Sequence, residues 1–338
     1  MYMKIRLHMN ENFFLEREWL VKIIARVLDD IDPRVYPEPF SEDVRASLAE
    51  FYGVSPDNVV VGAGGEHIIE LVTKTFGRGH RVLTVTPSFP LFDKYANMYG
   101  RGVERVPLSE GFDLPVDEIV RAAKRGDVSL VMIDSPNNPT GRQFDEDKVR
   151  DLVEKLNERN VIVLLDEAYA DFGRYSALPL VLEFSNLVIL KTFSKSFGLA
   201  GLRIGAAIAS KNLADKLLEN LPPYAVDVVS QRALKAVIEN HDYVAKKINE
   251  LRRERSRVFS KLKEIDQIDV FPSDANFHMI RLKSMRSSEV CSALAVRGIL
   301  VKDLTEVFGT EEYIRVTVGT PSMNDEFLAT LKNILTST

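Results

Sequence analysis

The apolar positions of this chain change their period along its length. Over Arg17–Leu28, Trp19, Leu20, Ile23, Ile24, Val27 and Leu28 recur at the helical spacing, which predicts an amphipathic helix. Asp32-Pro33-Arg34 and Tyr36-Pro37-Glu38-Pro39 then break it, because a residue before proline is pushed out of the helical region into extended backbone. From residue 41 onward helices and short apolar runs alternate. The runs Val59–Val61, Val82–Val85, Val128–Ile133, Val161–Leu165, Leu187–Leu190 and Ile204–Ala209 read as strands. Helical stretches at Glu66–Phe76, Asp145–Arg159 and Asn212–Asn220 lie between them. That alternation predicts a largely parallel sheet with helices on both faces.

The pattern changes near residue 240. Tyr243–Ile265 predicts a long charged helix with Ile248, Leu251, Val258 and Leu262 on one side. Strands at Ile268–Phe271, Phe277–Arg281, Ile299–Lys302 and Tyr313–Val318 follow, with helices at Ser287–Arg297 and from Asn324. Closely spaced strands with two helices predict a smaller α+β unit. No repeat or flexible linker separates the two patterns, so the join near 240 reads as a continuous helix or a tight hinge.

Composition narrows the setting. A length of 338 residues suggests about two domains. Hydrophobic residues at 45% and charged residues at 28% give an ordinary globular balance. A net charge of -5 lacks the basic footprint of a nucleic-acid binder. Clean apolar runs such as Val161–Leu165 reach five residues, too short for a bilayer. The opening MYMKIRLHMNENFF has no run long enough for a signal peptide. The expectation is a soluble cytoplasmic protein with no nucleic-acid or membrane partner. The single cysteine, Cys291, sits at helical spacing with Val290, Leu294 and Ala295 and reads as core. Five scattered histidines show no metal-ligand spacing, so no metal is expected.

Five features carry chemistry. Gly62-Ala63-Gly64-Gly65 follows a strand and opens a helix; unpaired N–H groups at such a terminus suit a phosphate. It lacks the dinucleotide spacing, and alone it reads equally as a plain turn. Ser135-Pro136-Asn137-Asn138-Pro139-Thr140-Gly141 is a rigid polar turn after a strand, where ligands bind in open α/β sheets. Asp166-Glu167-Ala168-Tyr169 ends a buried strand; a carboxylate there must be paired, and a protonated pyridine nitrogen is one partner. Thr192-Phe193-Ser194-Lys195-Ser196 places a lysine among small residues just past another strand, where an amine can form an imine with an aldehyde. Arg203, between Gly201 and Gly205, offers a fixed charge for a phosphate.

SPNNPTG, DEAY and TFSKSFGLAGLRIG, in that order, resemble the signature series of the fold-type I pyridoxal-phosphate aminotransferases. The resemblance runs from Asn10-Glu11-Asn12 to RVTVGT at Arg315–Thr320. It implies an α/β fold: a large domain with a mostly parallel sheet flanked by helices, plus a smaller α+β domain. Residues 1–35 would be an N-terminal segment packing with the small domain, 36–240 the large cofactor-binding domain and 241–338 the small one.

LHMNEN, YPEP, GAGGEHIIEL, RGILVKDL and YIRVTVGTP are similar, more narrowly, to the histidinol-phosphate aminotransferases. The implied reaction is transamination between histidinol phosphate and 2-oxoglutarate in histidine biosynthesis. Aromatic-amino-acid aminotransferase and threonine-phosphate decarboxylase are alternatives of the same fold. The resemblance makes pyridoxal 5'-phosphate the cofactor and Lys195 its Schiff-base lysine and proton shuttle. Asp166 would pair with the pyridine nitrogen; Asn138 and Tyr169 would bond the phenolic oxygen. Gly65, Glu66, Thr192, Ser194 and Arg203 would surround the phosphate. Phe89 would stack on the ring, and Tyr36 would reach the phosphate from the other subunit of a homodimer. Arg315 would grip the substrate carboxylate, with Lys302, Asn12 and Asn138 also on the substrate side. Two departures stand out. The phosphate turn reads Gly65-Glu66-His67 where a small residue and Asp-Glu are usual, and Lys302 stands where an arginine is usual. A regulator built on the same domain would carry a DNA-binding extension, and only nine residues precede Asn10.

Overall fold

The continuous apolar runs lie side by side in one seven-stranded sheet of the computed structural model, which describes residues 5–125 and 127–336. The chain enters through a short strand, β1 (Ile5–Arg6). The large sheet is built from β2 (Val59–Gly62), β3 (Arg81–Thr86), β4 (Val103–Pro107), β5 (Val128–Asp134), β6 (Ile162–Asp166), β7 (Leu187–Thr192) and β8 (Gly205–Ala209). Their spatial order is β2-β8-β7-β6-β5-β3-β4. Every pair from β4 to β7 is parallel, and β8 is reversed, pairing antiparallel with both β7 and β2. The chain steps outward from β3 to β4, then returns to the other side of β3 to start β5. The order therefore reverses between β3 and β5, and the crevice at such a switch point is where open α/β sheets bind ligands.

Alternation along each strand feeds two layers. On β5, Val131 and Ile133 pack with Val149, Leu152 and Leu156 of the helix Glu146–Asn157. Leu130 and Met132 face the opposite layer, with Ile68, Ile69, Leu213 and Leu217. Each such side chain contributes about 1.5–3 kcal/mol over its exposed state. These paired layers are the helix-covered, mostly parallel α/β sheet that the sequence pattern predicts.

The second sheet is antiparallel. It orders β12 (Lys302–Asp303), β13 (Tyr313–Thr317), β10 (Phe277–Leu282) and β9 (Ile268–Val270). The run expected as one strand over Ile299–Lys302 is split, because β11 (Ile299–Leu300) leaves that sheet to pair in parallel with β1. Leu7 follows β1 into the core of the small sheet, beside Ile280, Val316 and Phe327. At residue 240 the chain turns tightly between the helices Val228–Ile238 and His241–Leu262. The second of these places Val244, Ile248 and Leu251 in one core and Val258 and Leu262 in the other. The last helix begins at Pro321 rather than Asn324, whose side chain caps the preceding turn by accepting the Gly319 N–H at 2.9 Å. The edge strand β4 is unexpected from its sequence, VERVP, because an edge position needs no continuous apolar run. Among the described residues no helix is long and apolar enough to cross a membrane.

Candidate active site

A cavity of about 460 Å³ opens over the C-terminal ends of β3, β5, β6 and β7, closed on one side by β12, β13 and the segment His8–Asn10. Its floor is the strand ends, so every side chain there projects from a hydrogen-bonded strand or from the turn just after it.

At one end the turn before the helix Gly65–Val72 meets the start of β8. A Cβ on Gly205 would come within 2.8 Å of the Gly64 carbonyl carbon and the Gly65 nitrogen, and a Cβ on Gly64 within 2.9 Å of Arg203 Nη2. Only glycines allow this approach. It leaves the Gly65 and Glu66 N–H groups, in a first helical turn without intrahelical acceptors, on the cavity wall. Thr192, Ser194 and Arg203 line the same end. Arg203 holds a left-handed backbone at φ 48°, a strained conformation for a residue with a side chain, and its Nη1 lies 3.5 Å from Ser194 Oγ. The departure at His67 is explained locally: its Nδ1 accepts the Ala63 N–H at 3.0 Å, and burial holds the ring below its usual pKa, as a neutral acceptor. Together these groups form a cradle for a phosphate-sized anion.

On the floor, Asp166 is 6% exposed and accepts one backbone hydrogen bond, from Ala168 at 2.9 Å. Burial, then the charge of Asp134 on the adjacent strand, push its carboxyl up to about 7. A buried carboxylate so weakly satisfied is a site for a cation or a proton donor. Lys195 Nζ lies nearby and donates to the Met9 carbonyl at 2.8 Å. The loop that carries it is fixed from behind: Ser196 Oγ donates to Asp171, and Asn12 Nδ2 donates to the Ser196 carbonyl at 3.0 Å. Asn12, expected on the substrate side, thus stands behind the lysine loop and off the cavity wall.

Two donors are aimed by their other bonds. The Asn138 side-chain oxygen is taken by Arg315 Nη1, which leaves the Asn138 NH₂ group for the cavity. The Tyr169 hydroxyl accepts from Asn10 Nδ2 at 2.9 Å, which leaves its own proton to donate. Phe89 lines the wall beside them. Arg315 is 9% exposed; its Nη2 donates to the His8 carbonyl at 3.0 Å, and its Nε is buried without a partner. Lys302 is its register partner across β12 and β13 and lines the cavity too. Tyr36 stands apart, 79% exposed, its ring 4.9 Å from that of Tyr224.

Three groups at or behind the cavity wall escape a reading of the sequence. Asn10 orients Tyr169, although it sits in the NEN motif. Asp134, the last residue of β5, is 2% exposed and lies in register with Asp166; an acid ending a buried strand was the available signal. Behind the floor, Lys191 Nζ and Glu167 form a buried ion pair at 2.6 Å, and nothing in the sequence marks Lys191 as buried.

Residues 2–331 match the family model described as aminotransferase class I and II. A histidinol-phosphate aminotransferase of Thermococcus gammatolerans is 37% identical over 98% of this chain and 92% of its own length. Among solved structures, the histidinol-phosphate aminotransferase from Clostridium acetobutylicum superposes with a TM-score of 0.91 at 23% identity, covering 98% of this chain and 99% of that one. One from Sinorhizobium meliloti, solved in complex with pyridoxal-5'-phosphate, gives 0.89 at 23% identity, covering 99% and 91%.

Proposed function

The chain belongs to the class I and II aminotransferases, and we propose that it transfers an amino group between histidinol phosphate and 2-oxoglutarate, a step of histidine biosynthesis. It is a pyridoxal-phosphate enzyme. The cavity fits that cofactor on its own chemistry. The glycine cradle with Thr192, Ser194 and Arg203 suits the phosphate, and the under-satisfied Asp166 suits a protonated ring nitrogen. The Asn138 amide and the Tyr169 hydroxyl, both left as donors, suit the phenolic oxygen. Phe89 would lie on the ring, and Lys195 would hold the aldehyde carbon. Bound there, the cofactor supplies an aldehyde for the amino group and a ring that withdraws electrons from the adjacent carbon.

The protein residues do the rest. Asp166 keeps a positive charge on the ring nitrogen. Lys195 Nζ would move the substrate's proton as general acid and base. Met9 O, 2.8 Å from that nitrogen, holds it in line. Arg315, a fixed charge on the cavity wall, would bind the substrate anion.

The observation that carries the substrate reading is the register of Lys302 with Arg315. Like charges directly opposite on neighbouring strands repel, and a phosphate monoester of about -1.5 to -2 charge between them offsets that repulsion. We also read the division 1–35, 36–240 and 241–338 as the domain plan, supported by Leu7 packing in the small-sheet core. The working form in this reading is a cytoplasmic homodimer. The exposed Tyr36 would then complete the phosphate cradle of a partner. The test is a single-turnover reaction of the purified enzyme with histidinol phosphate, followed by loss of the cofactor's visible absorbance. A response to glutamate and none to histidinol phosphate would remove the phosphorylated substrate and leave the aminotransferase.

A further inference from the structure

Asp134 is a fully buried acid for which the mechanism above has no use. It ends β5, directly beside Asp166 at the end of β6. Adjacent strands lie about 4.8 Å apart, so a second buried carboxylate here opposes the charge of the first. Such a group persists in a core only if its bonds hold something in place. Asp134 accepts three. Asn137 Nδ2 donates at 2.8 Å and the Asn138 N–H at 2.6 Å, both from the turn after its own strand. Ser88 Oγ donates at 2.8 Å from the segment after β3. An acid that merely capped its own turn would need only the first two. The third crosses the switch-point crevice, and Asn137 Nδ2 reinforces it by also reaching the Pro87 carbonyl at 3.2 Å.

The two segments tied together carry different walls of the cavity. Ser88 precedes Phe89, and Asn138 is the amide aimed inward by Arg315. We infer that Asp134 is a positioning residue of the cofactor site: it sets the distance between the Phe89 wall and the Asn138 wall, and so the slot in which the ring is held. The inference rests on the cofactor reading above. In this arrangement Asp134 positions through Ser88, Asn137 and the Asn138 backbone, and its charge also bears on Asp166 beside it.

Asp134→Ala, Asp134→Asn and Ser88→Ala test it, each prepared free of cofactor and titrated with pyridoxal phosphate. The readouts are the dissociation constant, the circular dichroism of the bound cofactor's visible band, and the melting temperature before loading. For Asp134→Ala the dissociation constant should rise on the order of tenfold and the dichroic band should change in amplitude. Asp134→Asn, which keeps an acceptor but not three, should fall between that variant and wild type. Ser88→Ala, which cuts only the tie across the crevice, should raise the constant about threefold and also alter the band. If Asp134→Ala does not fold, Ser88→Ala decides. A lowered melting temperature with unchanged affinity and an unchanged band would make the role purely structural and overturn the proposal. Wild-type protein that binds no pyridoxal phosphate would instead overturn the reading of the site itself.

Discussion

Arg315 and Asn138 are joined across the cavity: the guanidinium Nη1 of one donates to the side-chain oxygen of the other, and Nη2 reaches the His8 carbonyl at 3.0 Å. One planar fork thereby ties the small sheet, the turn after β5 and the entering chain, on the wall of the cavity. Lysine keeps the charge but loses the planar fork whose separate nitrogens reach both acceptors. Arg315→Lys should lower kcat/KM at least about tenfold for both glutamate and histidinol phosphate, the scale of a charge-assisted hydrogen bond. Unchanged values for both amines would take Arg315 off the ligand wall.

Lys195 is the amine within reach of both Asp166 and the cavity. Lys195→Ala should abolish turnover, because no other group there can both hold the cofactor and carry the proton. Binding of pyridoxal phosphate should persist through the phosphate cradle, Asp166 and Asn138. Borohydride reduction of the wild type followed by peptide mapping should place the adduct on Lys195. An adduct elsewhere, or near-normal turnover of the variant, would refute the assignment.

What the sequence disclosed follows from the range of each interaction. Continuous runs such as Val128–Ile133 and Leu187–Leu190 announce buried strands by themselves; Asp166 is recognisable because it directly follows Val161–Leu165, and Lys195 because it sits among small residues five positions past Leu190. The bonds that aim those groups are long-range. Asn10 reaches Tyr169 across 159 residues, and Ser88 reaches Asp134 across 46. No local pattern encodes them. Lys191 reads as an ordinary strand-end lysine until Glu167 is seen against it. Asn12 misled for the same reason: its motif pointed to the cavity, while its side chain is engaged with the Ser196 carbonyl and the Phe14 N–H. The split of Ile299–Lys302 depends on β1, almost three hundred residues away in sequence, choosing β11 as its partner.

Lys302 offers a test of substrate class. Its side chain is exposed at the cavity edge, in register with Arg315, so truncation should leave the fold intact. Lys302→Ala should lower kcat/KM for histidinol phosphate by about tenfold or more, and for glutamate by much less, because glutamate has no phosphate to lose a contact. Equal effects in the two half-reactions would remove Lys302 from the phosphate end.

Asp166 links function to stability. Its carboxyl is pushed from 3.8 to about 7 in the folded chain without cofactor, by burial first and by the Asp134 charge second. A folded-state value above the unfolded one contributes stability that is fully present below pH 3.8 and is lost as the pH rises through about 7. Each tenfold change in proton affinity corresponds to about 1.4 kcal/mol, so the loss reaches roughly a few kcal/mol by pH 8. Asp166→Asn cannot ionise, so the cofactor-free variant should match the wild type near pH 4 and exceed it increasingly toward pH 8. His278, lowered to about 4 by burial, is present in both proteins and cancels in the difference, whereas Asp134, pushed up to about 6, stands beside Asp166 and titrates with it, so the difference reports the buried pair. Loading should reverse the order. Pyridoxal phosphate brings the ring nitrogen that pairs with the carboxylate, so it should raise the wild-type melting temperature more than that of the variant. Urea unfolding of both proteins between pH 4 and pH 8, with and without cofactor, gives the comparison. Parallel curves without cofactor would mean that Asp166 is not held as a strained acid, and its pairing with the ring nitrogen would lose its physical basis.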